Sequence, residues 1–170
     1  LSISSVEDLI YPALFVIAGF VAILSHEMGH ALVGRKLGGG QQTIVLELFG
    51  GLTSSHGMQL TRGGRALMIL AGPMMTLLLG IISLGLTWNI VAPVMTSYNL
   101  NFWDLAISPF TAALISPKLY ILSCLIMIGE WWTILNLLPI YPLDGGQLIA
   151  QYIRSPRKVS VSYTHLTLPT

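Results

Sequence analysis

Charge is what this sequence has least of. Lys, Arg, Asp and Glu make up 9% of its 170 residues, against about 25% in ordinary soluble domains. No charged side chain occurs between Asp8 and Glu27. So few charges cannot clothe a soluble surface, which points to a membrane protein. The basic residues number 8 and leave a net charge of only +1, so the chain carries no nucleic-acid footprint. Cysteine is nearly absent too: Cys124 stands alone in an apolar run. That excludes a disulfide framework and a cysteine metal site, and leaves a small buried hydrophobe. The chain opens on Leu1 and not on Met, so further sequence is expected upstream. Val159–Thr170 has neither charge nor periodicity and is set apart as a non-native or disordered tail, with no role for His165.

What the sequence does have is long apolar runs. Leu9–Leu24 is almost unbroken, and helical periodicity continues to Leu37 before Gly38-Gly39-Gly40. A helix of roughly 28 residues would be roughly 42 Å long, enough to cross a tilted bilayer and emerge. A signal peptide does not fit, because the residues before the run are acidic and no small-residue cleavage site follows it. Thr43–Phe49 is β-prone and Gly50-Gly51 turns the chain, which predicts a short hairpin at the membrane surface or dipping into it. A second span is expected from Ala66 to about Trp88, bent at Pro73, and a third from Leu119 to Leu138, stopped by Pro139. Asn89–Pro117, with Pro93, Pro109 and Pro117, reads as an extramembrane or partly re-entrant loop. A short amphipathic helix is expected over Gln147–Arg154. The fold class is therefore an all-α membrane protein: a polytopic bundle of about three core transmembrane helices with a small β-hairpin-like membrane-associated segment.

The basic residues give an orientation. In a three-span arrangement Arg35, Lys36, Arg62, Arg65, Arg154, Arg157 and Lys158 fall on one side, and Glu7, Asp8, Asp104 and Lys118 on the other. The positive-inside rule makes the first side cytoplasmic.

Against this apolar background stands Ser25-His26-Glu27-Met28-Gly29-His30. His26 and His30, four apart, share one helix face and are close enough to hold one metal; Glu27 is placed beside a water at that metal. This is the H-E-x-x-H arrangement of zinc hydrolases. Three titratable groups within about one turn of a spanning helix are costly unless they form a site. Catalytic zinc takes three protein ligands. The candidates near the same face are Glu47, His56, Glu130 and Asp144, and Asp144 is preferred because Pro139 and Pro142 precede it and Gly145-Gly146 follow, a stiff then permissive frame. Its competing use is as an N-cap for the helix from Gln147.

His26–His30, Ala71-Gly72-Pro73 and Asn136–Gly146, in that order, together resemble the site-2 protease family of intramembrane zinc metalloproteases, particularly its bacterial stage IV sporulation type. The likeness runs from about Ile10 to Arg154 and makes 1–158 the metalloprotease core. It implies zinc held by His26, His30 and Asp144, with Glu27 as general base. Asn136 matches the residue that helps hold substrate backbone. Thr76 stands where the second motif usually has Asn, Ser or Gly, and is expected to make polar contacts to substrate. The hairpin around Phe49 and Gly50 offers a strand edge for an unwound substrate. The implied activity is hydrolysis of peptide bonds in or near transmembrane segments. The implied partners are a membrane-protein substrate, the lipid bilayer and a regulatory membrane protein. The alternative is an inactive family member or a metal-binding transporter, against which the intact Glu27 argues, since a binder needs no base.

Overall fold

The computed structural model describes residues 7–38, 40–47, 50–57, 59–98, 101 and 108–153. Phe49, Asp104, Arg154, Arg157, Lys158 and the tail 159–170 lie outside the described residues. Among the described residues, five helices and one hairpin follow in order: α1 (Glu7–Gly38), β1 (Gln41–Glu47), β2 (Gly50–His56), α2 (Arg62–Tyr98), α3 (Pro109–Ala113), α4 (Pro117–Leu137) and α5 (Asp144–Ile153). Among the described residues, three stretches are long and apolar enough to cross a membrane: Leu9–Gly38, Arg62–Ala92 and Pro117–Leu137. The chain is thus a mostly helical membrane protein with one small antiparallel sheet, as expected.

The helices pack with small and polar residues inward. On α1 the buried positions include Ala18, Ala22, His26, Gly29, His30 and Gly34, a stripe at helical spacing, while Val16, Phe20 and Leu32 are more than half exposed. On α2 the buried stripe includes Gly72, Pro73, Thr76, Gly80, Ser83 and Thr87, and Leu67, Met74, Ile81 and Ile82 face outward. Lipid is as apolar as leucine, so nothing drives large apolar side chains inward; close backbone approach and hydrogen bonds hold the bundle instead. Gly29 meets the Ala71 carbonyl, so closely that a Cβ there would collide with it. Gly129 of α4 meets the Thr76 carbonyl, 3.2 Å from where a Cβ would lie. His26 and His30 thus continue a line that Ala18 and Ala22 begin, and face the neighbouring helices for the same geometric reason.

The second span differs from expectation. Helix α2 does not stop near Trp88 but runs to Tyr98, because Ile90-Val91-Ala92 keeps the apolar pattern going. Val91 is buried with Ala112 and Leu119. The region expected as one loop therefore holds the end of α2 and the short α3, capped by Ser108, whose hydroxyl accepts from the Thr111 amide at 3.3 Å. Helix α4 starts in the same way, Ser116 accepting from the Leu119 amide at 3.2 Å with Pro117 in its first turn. Tyr11 of α1 donates to the Ala113 carbonyl at 2.8 Å and packs edge-on against Tyr120, ring centres 4.9 Å apart. That contact ties α1, α3 and α4 at the end remote from the histidines.

The hairpin forms as expected, with Gln41 opposite His56 and Leu46 opposite Gly51. It packs against α1. Pleating puts Gly51 and Thr53 on one face together with their cross-strand neighbours Leu46 and Ile44.

Candidate metal centre

His26 and His30 project from one face of α1 with their Nε2 atoms 3.1 Å apart. Asp144 is the first residue of α5, and its Oδ2 lies 3.0 Å from His26 Nε2 and 3.3 Å from His30 Nε2. The turn before α5 aims it. Its peptide Tyr141-Pro142 is cis. The Leu143 amide donates to the Ile140 carbonyl at 2.9 Å, and the Leu143 carbonyl accepts from the Gln147 amide at 2.9 Å. Leu143 therefore opens the helix, one turn earlier than expected, and Asp144 points inward instead of capping it. Gly145 and Gly146 press on the backbone of Leu137, Leu138 and Ile140 so closely that a Cβ at either would collide.

The geometry fits a zinc ion. Ligand atoms about 2.0–2.1 Å from a tetrahedral zinc stand about 3.3 Å from one another; here the three separations are 3.0, 3.1 and 3.3 Å. His30 Nδ1 approaches the Met68 carbonyl at 2.8 Å. A carbonyl only accepts, so the Nδ1 carries the proton and Nε2 of the neutral ring is a bare lone pair facing a carboxylate oxygen. Two electron pairs so placed call for a cation between them. Gly72 keeps the space clear: a Cβ there would collide with the His30 ring and stand 2.9 Å from His26 Nε2.

Glu27 is also buried, at 6% exposure. Thr53 donates to its Oε2 at 2.6 Å, and Gly51 lies against its side chain. His26, Glu27, His30, Thr53 and Asp144 open into one cavity of about 710 Å³, also lined by Met68, Trp132 and Asn136.

Among the described residues, His26, His30 and Asp144 form the only group of three that can share a metal. His56 and Glu130 are exposed, and neither is in that group. Asn136 lines the cavity, its amide donating to the Trp132 carbonyl at 2.9 Å. Thr76 does not line it. Fully buried, its hydroxyl donates to the Pro73 carbonyl at 2.9 Å and meets the Thr133 hydroxyl at 2.7 Å. These bonds join α2 to α4 and support the backbone at Pro73; an interhelical bond of this kind is worth about 0.6 kcal/mol, so packing carries most of that contact. The backbone of Gly50 pairs with Glu47. Thr53, Gly51 and the carbonyl of Met68 are site residues that the sequence does not announce, because each reaches the histidine helix from another element.

Known proteins are similar to this chain. A zinc metalloprotease of Methanocaldococcus jannaschii, MJ0392, is 29% identical over 150 residues, covering 88% of this chain and 37% of that protein. Rip3 of Mycobacterium tuberculosis, named as a putative zinc metalloprotease, is 30% identical over 132 residues, 78% of this chain and 29% of its own length. The solved site-2 protease from Methanocaldococcus jannaschii superposes with a TM-score of 0.53 at 28% identity, over 81% of this chain and 52% of that one. The chain spans roughly a third of these curated relatives, between 29% and 37% of their length. The model of peptidase family M50 matches residues 14–168, a stretch that includes His26, His30 and Asp144, and the chain belongs to that family.

Proposed function

We propose that this chain is the core of an intramembrane zinc endopeptidase that hydrolyses peptide bonds in or near transmembrane segments of membrane-bound proteins. The observation that carries the reading is the triangle of His26 Nε2, His30 Nε2 and Asp144 Oδ2, 3.0–3.3 Å on a side, with Glu27 beside it in a cavity between spanning helices. His26, His30 and Asp144 would hold zinc. The chemistry zinc supplies when bound is polarisation of the scissile carbonyl and acidification of water.

The protein side chains then have separate tasks. Glu27 takes the proton of the attacking water on one carboxylate oxygen and returns it to the leaving amine. Asn136, at the cavity wall, holds substrate backbone with the amide proton not given to Trp132. The hairpin edge near Gly50 receives a substrate segment once it has unwound, since a helical peptide bond is shielded by its own hydrogen bonds. Phe49 has the same expected use. Substrate enters from the bilayer, and a regulatory membrane protein is an expected partner. An inactive or transporting relative would have no use for a buried carboxylate lining the same cavity as three ligands.

The test is cleavage of a membrane-anchored reporter by purified protein in detergent. Cleavage is expected, lost on zinc chelation and restored by added zinc; no cleavage under any metal load would overturn the reading. Gly72→Ala should weaken zinc binding by about tenfold or more, because its methyl enters the space of the imidazoles. Gly80→Ala, on the same helix with nothing within 4 Å of the added Cβ, should leave it unchanged. Zinc titration distinguishes the two.

The active site faces the cytoplasm in this reading. Arg35 and Lys36 end α1 and Arg62 opens α2 at the histidine end, while Lys118 lies at the other. In intact bacterial cells a membrane-impermeant maleimide should label Asn101→Cys and spare Gln41→Cys; the reverse pattern would invert the topology.

A further inference from the structure

The structure assigns Thr53 as the residue that positions Glu27, so that the hairpin is a working part of the active site; this rests on the protease reading above. A helix that turns His26 and His30 toward a shared point cannot also turn Glu27 there, because successive residues are rotated by about 100°. The Glu27 carboxylate must reach back across that angle through three side-chain torsions. Something outside the helix has to hold it.

The hairpin supplies the hold. Thr53 donates to Glu27 Oε2 at 2.6 Å, and its hydroxyl also lies 3.3 Å from the carbonyl of Glu27. A hydroxyl has one proton, and the shorter contact, to the carboxylate, takes it. Two residues earlier on the same pleated face, Gly51 is pressed against the stem of Glu27. A Cβ there would collide with Cγ and stand 2.8 Å from Oε1. Strand β2 thus fixes one carboxylate oxygen through Thr53. Gly51, bare, leaves room beside the other, and both residues line the cavity. Oε2 is the anchored oxygen and Oε1 the one free to exchange a proton. The base is aimed only while β2 is seated on α1.

The experiment compares Thr53→Val, which keeps the shape and loses the donor, with Thr53→Ser, which keeps the donor, and with Glu27→Gln. Each is made in the full chain, purified in detergent, loaded with zinc and given a transmembrane reporter peptide. Thr53→Val should lower kcat by ~10- to 100-fold, a part of what a general base contributes, with KM within about twofold and zinc content unchanged. Thr53→Ser should stay within about threefold of the parent. A readout independent of turnover is the infrared carboxylate stretch in metal-free protein labelled with carbon-13 glutamate. The band lost in Glu27→Gln should move in Thr53→Val and not in Thr53→Ser. If valine disturbs folding, seen as lost zinc, Thr53→Ala carries the same expectations. Full activity and an unmoved band in Thr53→Val, with Glu27→Gln inactive, would overturn the assignment alone. Cleavage by Glu27→Gln at the parent rate would overturn the protease reading and this one with it.

Discussion

Glu27→Gln is expected to abolish cleavage while leaving zinc in place. The amide has nearly the shape of the carboxylate, so the close packing against Gly51 survives, and its oxygen can still accept the Thr53 hydroxyl. What it cannot do is take a proton from water. Loss of a general base costs ~10²- to 10⁴-fold, and because the same carboxylate serves the leaving amine, the upper part of that range is expected in kcat. Glutamine is the informative replacement here. Alanine would empty a buried site of 6% exposure and mix a packing defect into the result. Metal content measured beside kcat decides the matter: equal zinc with no turnover supports the role of Glu27, and turnover near the parent rate removes it.

Asp144→Ala should have the second large effect, on binding instead of turnover. It leaves two nitrogens 3.1 Å apart and no third donor among the described residues. Changing even the outer partners of zinc ligands commonly weakens metal affinity by ~10- to 100-fold, so removal of a ligand should exceed ~100-fold. The variant should emerge from purification substantially free of zinc, as metal analysis would detect. Zinc at the parent stoichiometry would exclude Asp144 from the site. The substitution is a mild one for the fold, because α5 is held in place independently by Gly145 and Gly146 against the 137–140 backbone.

The parts of this protein that were legible in sequence were those written as local spacing. His26 and His30 announce themselves because one helix carries both. Asp144 was legible less directly, through the prolines that break the chain before it. The three spans and the hairpin followed from runs and turns. The end of α2 did not, because proline and aromatic residues suggested a loop where Ile90, Val91 and Ala92 sustain a helix that Val91 then buries against α3 and α4. Thr53 sits in a polar stretch, Leu52-Thr53-Ser54-Ser55, that looks like any strand end. Its meaning is a contact across 26 residues. Gly72 and Thr76 share a motif, yet only the fold separates them: one clears room for two imidazoles and the other joins helices.

The approach of Asp144 to His26 spans 118 residues of chain. Whatever binds those two side chains together therefore also closes a loop containing the second and third spans whole and the last part of the first, and it does so at the end of the bundle opposite the Tyr11 contact with Ala113 and Tyr120. Mechanically the molecule is a frame fastened at two ends. The far fastening is made of tyrosine and backbone, and the near one of the three ligand side chains together with Gly145 and Gly146 seated on the 137–140 backbone.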